Sequence, residues 1–260
     1  MIKNRMSKTK LKMGSDFINL LQAHRSIRKY QAREIDQSLF ESILVAGQSA
    51  STSSYVQAVS MVRVSEASLR SQFAELAGGQ PYIESCAEFI VFCADFHRNS
   101  ARIRRINNEE ADFSSTEQFI TATVDVALCA QNVVAAAESV GLGCCYIGGI
   151  RNDPSKVTKL LELPKLVYPI FGLCLGYPAQ DPEVKPRLPL AAQLHQNCYQ
   201  LDERMHQKID DYDRHVYAYY DRRTKGKLKT SWSELMVKQA LGEKRKFMKK
   251  YIEKQGFNKI

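Results

Sequence analysis

The sequence predicts an α+β fold, a sheet buried among helices, on three observations. Two short runs, "CAEFIVFCADF" (86–96) and "VYPIFGLCLGYP" (167–178), are almost wholly apolar, as strands in the middle of a sheet are. Helical periodicity fills much of the chain between and around them. No strand leads into a GxGxxG turn; "GLGCCY" (141–146) runs from a helix end into a strand, the reverse of the dinucleotide-binding order.

Each element has its own local reason. Residues 15–23 place Phe17, Leu20 and Leu21 at helical spacing. In "DQSLFESILVAGQSA" (36–50), Asp36 caps a helix whose face carries Leu39, Ile43, Leu44 and Gly47. Four consecutive hydroxyl residues, Ser51, Thr52, Ser53 and Ser54, break it. "VQAVSMVRVS" (56–65) alternates as a strand does, and "EASLRSQFAELAG" (66–78) is a helix closed by Gly78 and Gly79. The stretch 115–143 is Ala-rich and apolar around most of its circumference, so its helix is buried on several sides, in a core or at a dimer interface. "CCYIGGI" (144–150) is a strand that stops at a double glycine. "DPSKVTKLLELP" (153–164) is a helix with Asp153 as cap and Pro154 in its first turn. "AQDPEVKPRLP" (179–189) is an extended loop, and polar helices rich in Tyr and Lys follow from about 200.

Composition narrows the function classes. A hydrophobic fraction of 44% supports a sizeable core. No run of about eighteen apolar residues is present, which argues against a transmembrane segment. The seven cysteines form no CxxC pair, and the five histidines show no metal spacing. Reduced core cysteines point to a cytoplasmic protein. The net charge of +9 is uneven: residues 1–12 hold five bases and no acid, 222–260 hold thirteen bases and three acids, and the span between is mildly acidic. Residues 1–14 read as a loose basic extension, and 15–260 as one domain ending in a basic helical tail. Such a tail suits nucleic acid, a membrane surface or a phosphate-bearing small molecule.

Four features could carry chemistry. "HRSIRKY" (24–30) sets Arg25 and Arg28 three apart at a helix-to-loop junction, with Ser26 between them, as an anion clamp would; a solvated turn is the alternative. In "KPR", Pro186 holds the chain extended, so Lys185 and Arg187 point to one side. In "YIGG" (146–149), glycines at a strand end let a flat ligand approach the backbone. The hydroxyl cluster is the fourth. Walker and GxSxG motifs are absent. Cationic clamps and glycine edges, without a nucleophile and base, suit a protein whose cofactor performs the reaction.

Taken in order, "HRSIRKY", "SASTSSYVQ", "LAGGQPYIESCAEFIVFCAD", "VDVALCAQNVVAAAESVGLGCCYIGGIRND", "FGLCLGYPAQDPEVKPRLP" and "TSWSE" resemble the oxygen-insensitive NADPH nitroreductase and flavin reductase family, in its larger NADPH-preferring group. The resemblance covers roughly residues 15–257. It implies a mixed central sheet between helices, and a homodimer with the C-terminal segment exchanged and one FMN per active site built from both subunits. It assigns His24, Arg25, Ser26 and Arg28 to the FMN phosphate and ribityl chain, with Lys185 and Arg187 as a second clamp. Gln80 and the hydroxyls of Thr52, Ser53 and Ser54 match cofactor contacts, although Thr52 stands where serine is expected. Tyr146, Ile147, Gly148 and Gly149 match the segment against the isoalloxazine, with a glycine N–H reaching N5. Arg223 and Arg245 align with positions that hold the NADPH 2′-phosphate, and Glu117 with a position shaping the acceptor pocket. No residue is assigned to acid or base catalysis.

The implied activity is an FMN-dependent oxidoreductase passing electrons from NADPH to nitroaromatics, quinones or free flavin by a ping-pong mechanism. Two alternatives stand beside it. One is a dedicated NADPH–FMN reductase that supplies reduced flavin to a partner. The other is a flavoprotein that binds nucleic acid through its basic tail. Small flat electron acceptors are the expected substrates; no metal or membrane partner is expected.

Overall fold

The computed structural model describes residues 15–242 and 245–258; the basic extension 1–14 lies outside the described residues. The chain divides into two compact units. One comprises the residues up to 181 together with those from 247 onward, and the other residues 182–246.

The first unit is built on a four-stranded sheet. Its strands are β1 (Val59–Arg63), β2 (Glu88–Asp95), β3 (Gly143–Ile147) and β4 (Val167–Gly176), in the order β1-β2-β4-β3. The two apolar runs are the two central strands, and β2 is buried at every position. All three pairings are antiparallel, whereas the resemblance implied a mixed sheet. The β1–β2 and β3–β4 connections return at the same end of the sheet. The β2–β3 connection crosses it, but β4 lies between those two co-directional strands, so no neighbouring strands are parallel among the described residues.

Seven helices of the first unit precede residue 182: α1 (Asp16–Gln22), α2 (Gln37–Gln48), α3 (Ala67–Leu76), α4 (Tyr82–Ser85), α5 (His97–Asn107), α6 (Thr116–Ser139) and α7 (Pro154–Leu160). Side chains cap four of them at the N-terminus: Ser15, Asp36, Ser115 and Asp153 each accept from a backbone N–H. Helix α6 covers one face of the sheet, with Ala122, Val126, Ala130, Val133 and Ala137 in the same core cluster as Ile90, Phe92 and Leu173. Helix α2 lies close to it because residue 47 is glycine; a Cβ there would come within 2.4 Å of Val133. A second cluster, including Phe73, Ile83, Phe89, Ile147 and Ile150, forms the remainder of the core.

By length and composition helix α6 is apolar enough to cross a membrane, although Asp125, Gln131 and Asn132 interrupt any continuous apolar run. Half of its most apolar window is buried inside the unit, as in a core helix.

Helix α5 was not anticipated. It buries only Ser100, so it carries almost no apolar stripe. The basic tail is also not polar throughout. Helix α10 (Met248–Gln255) returns to the first unit, where Tyr251, Ile252 and Phe257 are buried. Gln255 ties it to the sheet by donating from Nε2 to the Val167 carbonyl at 2.9 Å.

The second unit contains α8 (Glu203–Thr224) and α9 (Trp232–Leu241). Asp202 caps α8, and a capping box of Ser231 and Glu234 opens α9. The Ser233 amide donates to Asp213 at 2.9 Å, joining the two helices.

Candidate functional site

The loop 24–31 lies along one end of the sheet as an irregular strand. The Ile27 amide donates to the Cys144 carbonyl, the Ala179 amide to that of Lys29 and the Gln31 amide to that of Tyr177, each at 2.9 Å. Two glycines make room for it. A Cβ at Gly143 would stand 2.5 Å from Ile27, and one at Gly176 would stand 2.8 Å from the Tyr30 ring. The Tyr30 hydroxyl donates to the Ile27 carbonyl at 2.7 Å, and burial pushes its phenol far up.

The polar side chains of this loop take different partners. His24 Nδ1 meets Glu138 Oε1 at 2.7 Å. Arg25 donates to the Ala23 carbonyl at 2.9 Å and pairs with Asp181, while its buried Nε has no acceptor. Ser26 is half-buried. Arg28 is exposed, and its positive charge acts on Tyr82 and on the neighbouring Cys145. Burial and the neighbouring Cys145 raise the Tyr82 phenol, and the positive charge of Arg28 opposes them. The Tyr82 hydroxyl donates to Gln80 Oε1 at 2.8 Å, and Gln80 Nε2 donates to the Ala77 carbonyl at 2.9 Å. Arg28 thus stands near the Tyr82–Gln80 pair, and among the described residues Arg25 and Arg28 share no partner.

The glycine edge reaches the same place. Strand β3 ends at Ile147, and Gly148–Asn152 forms a 3-10 turn against the end of α3. A Cβ at Gly149 would stand 2.4 Å from the Ala77 carbonyl oxygen, the atom that Gln80 also contacts. Asn152 fixes the turn by donating to the Leu76 carbonyl at 3.1 Å. Tyr146 stands edge-on to Phe171, with ring centres 4.9 Å apart. Residues 77–82 therefore bring together the Arg28 end of the loop, Gln80 and the double glycine.

The hydroxyl residues lie on a separate loop. Thr52 is extended, and Ser54, Tyr55 and Gln57 are left-handed, at φ 48°, 60° and 52°. The Ser53 amide donates to Asp125 Oδ1 at 3.0 Å, and the Ala58 amide to Oδ2 at 3.2 Å. Thr52 and Tyr55 line a cavity of about 540 Å³ with Arg98, Asn99 and Arg102. Among the described residues, no hydrogen bond links this loop to Arg28 or Gln80. Glu117 is exposed in the first turn of α6.

The remaining candidates belong to the second unit. The Lys185 ammonium lies 5.3 Å from the centre of the Tyr220 ring, and the Arg187 charge acts on Tyr212, two helical turns earlier on α8. The clamp residues therefore both lie beside α8. Arg223 donates to the Tyr219 hydroxyl at 2.5 Å, and Arg245 is exposed after α9.

Two family models match the chain: the nitroreductase family over residues 21–177, and the C-terminal domain of that family over 185–260. The chain belongs to the nitroreductase family. Among curated relatives of this nitroreductase-family chain, the oxygen-insensitive NADPH nitroreductase of Salmonella typhimurium is 41% identical, covering 94% of this chain and 98% of its own. The FMN reductase (NADPH) of Bacillus subtilis is 40% identical, over 91% and 96%. Among solved structures, NfrA1 of B. megaterium superposes with a TM-score of 0.91 at 44% identity, covering 94% of this chain and all of its own.

Four residues that support the candidate site were not singled out from the sequence: Tyr82, Asp125, Glu138 and Asp181. Only Asp125 had a signal of its own, as the one acid amid the apolar run "TVDVALCA".

Proposed function

We propose that the protein is an NADPH-oxidising, FMN-dependent reductase of small flat electron acceptors, acting as a homodimer. The observation that carries this reading is the convergence of Arg28, Gln80 and the Gly148–Gly149 turn on residues 77–82 of a nitroreductase-family chain. These residues fit FMN. Arg28 offers an exposed guanidinium for a phosphate, and the buried Nε of Arg25 is a donor without an acceptor. Gly149 lets the turn pack directly on the Ala77 backbone, which fixes the segment that the resemblance sets against the isoalloxazine. The resemblance assigns His24, Ser26, Lys185 and Arg187 to the same cofactor, with Thr52, Ser53 and Ser54 and the face of Tyr146 and Ile147.

When bound, FMN supplies the redox chemistry, taking a hydride from NADPH and passing two electrons to an acceptor. The chain's own part is electrostatic and steric. The cations hold the phosphate with charge-assisted bonds, roughly twice as strong as neutral ones. The backbone N–H groups of the 3-10 turn are fixed donors for a ring edge. Solvent supplies protons, so no acid need be built into the site. Arg223 and Arg245 are assigned to the 2′-phosphate of NADPH, and Glu117 to the acceptor pocket. Relatives named for nitro compounds and for FMN keep two acceptor classes in view, and one site serves both if reduction and reoxidation alternate in the same space.

The test is the visible spectrum of the purified protein under argon. A yellow protein that bleaches with NADPH and recovers on addition of a nitrofuran or a quinone is the expected result. Parallel double-reciprocal lines would support the ping-pong order. A colourless preparation that added FMN cannot reconstitute would overturn the reading.

A further inference from the structure

The residue that most needs an explanation is Asp125. It stands mid-way along α6 with no solvent exposure, among Ala122, Val126, Cys129 and Ala130. A carboxylate in such surroundings is tolerated only when its oxygens are taken up by donors. Here each oxygen has one: Ser53 N–H at 3.0 Å and Ala58 N–H at 3.2 Å.

The two amides bracket a segment that has little reason to hold its shape. Between them, Ser54, Tyr55 and Gln57 are all left-handed, a conformation unfavourable for side-chain-bearing residues. Strand pairing begins only at Val59. Helix α5 supports the far half, since Asn99 donates to the Val56 carbonyl at 2.9 Å and Arg98 to that of Gln57 at 3.0 Å. At the near end, Ser53 is tied inward through Asp125. The loop's backbone is thus held to α6, while Tyr55 is 83% exposed and Ser53 and Ser54 face outward with it.

We propose that Asp125 is a positioning residue for the cofactor: its carboxylate clamps residues 53–58 so that the hydroxyls of 52–54 are presented to FMN in one fixed arrangement. This rests on the functional reading above. It adds a buried carboxylate, remote from the Arg28 group in sequence, that governs FMN affinity through the backbone of the hydroxyl loop.

Asp125→Asn is the first test, because it keeps the volume and removes one acceptor. The amide NH₂ then confronts a backbone N–H, donor against donor. Ser53→Pro is the second; it removes the same hydrogen bond from the loop side and alters no core side chain. Thr52 already has the extended conformation a following proline requires, at φ −126° and ψ 150°, and Ser53 opens a 3-10 turn, where proline is accepted. Ser53→Ala is its control, losing the hydroxyl but keeping the amide.

FMN dissociation constants by equilibrium dialysis, visible circular dichroism of bound flavin and thermal unfolding of the apo-proteins are the readouts. For Asp125→Asn, FMN binding weakened by about tenfold or more, with altered flavin dichroism and native secondary structure, is expected. Ser53→Pro should bind FMN several-fold more weakly than Ser53→Ala. A purely structural Asp125 would lower the unfolding temperature yet leave FMN affinity and dichroism of the folded protein unchanged, which would overturn the proposal. If Asp125→Asn does not fold, equal affinities of Ser53→Pro and Ser53→Ala overturn it instead. Wild-type protein that binds no FMN would refute the functional reading itself, a different and separately visible outcome.

Discussion

At the scale of single residues, the site depends on a few side chains whose contacts are narrow in purpose. Arg28 is exposed and contributes nothing to the core, so Arg28→Ala should leave the fold intact and weaken FMN. A hydrogen bond to a charged group contributes about 1.5–3 kcal/mol, so the loss should be about ten- to a hundredfold by dialysis. Adding Lys185→Ala should deepen it. Affinity unchanged within about threefold would place the phosphate elsewhere. Gly149 is the opposite case, since any Cβ would overlap the Ala77 carbonyl at 2.4 Å. Backbone cannot yield as a flexible side chain would. Gly149→Ala should therefore destabilise by about 1–3 kcal/mol and lower the melting temperature, besides disturbing the glycine edge. An unshifted melting curve would mean that the 3-10 turn moves freely.

At the scale of elements, α6 carries apolar residues on more than its core face. Along α6, Ile120, Val124 and Leu128 follow at four-residue intervals and are each 44–49% exposed, and Val45 of α2 is exposed as well. A core helix does not need a second apolar stripe; a subunit interface does. Light scattering at micromolar concentration should report a dimer, and Leu128→Glu should shift it toward monomer and reduce FMN retention. A fully active monomer would contradict the shared site. The sheet hides its thiols in the same way. Six of the seven cysteines are buried and only Cys198 is exposed. Burial raises the thiols of Cys93, Cys144, Cys145 and Cys174, and burial with the Asp125 charge pushes Cys129 up to about 11. A raised thiol stays protonated, hence unreactive, at pH 8. Iodoacetamide at that pH should label Cys198 in the native protein, with the others following only in denaturant. Cys86 departs from this pattern because a bond from the Cys174 thiol lowers it.

At the scale of the whole molecule, charge is segregated: basic ends flank a mildly acidic middle. Long-range attraction cannot distinguish NADPH from NADH sharply, so selection has to come from cations placed at the 2′-phosphate. If Arg223 and Arg245 hold it, kcat/KM should favour NADPH by at least about tenfold, or about 1.4 kcal/mol. The preference should shrink as salt rises, because exposed pairs are screened. Arg223→Ala with Arg245→Ala should weaken NADPH use and spare NADH. Equal loss of both would mean that these arginines support the fold or the pocket.

What the sequence determined by itself was local. Apolar runs without alternation marked β2 and β4 as central strands, and Asp36 and Asp153 at helix starts marked two of the four caps. The glycine pairs at 78–79 and 148–149 marked a turn and a strand end. These signals are readable because propensity, capping and periodicity act over a few residues. Helix α5 escaped because a nearly all-polar helix has no stripe to read. Tertiary structure alone decided which polar groups meet. His24 finds Glu138 across 114 residues, Ser53 finds Asp125 across 72, and Arg25 and Arg28, three apart, part to different partners. Such pairings follow from the way the sheet and α6 bring distant segments into contact, and a hydrogen bond between them leaves no periodic trace in the chain.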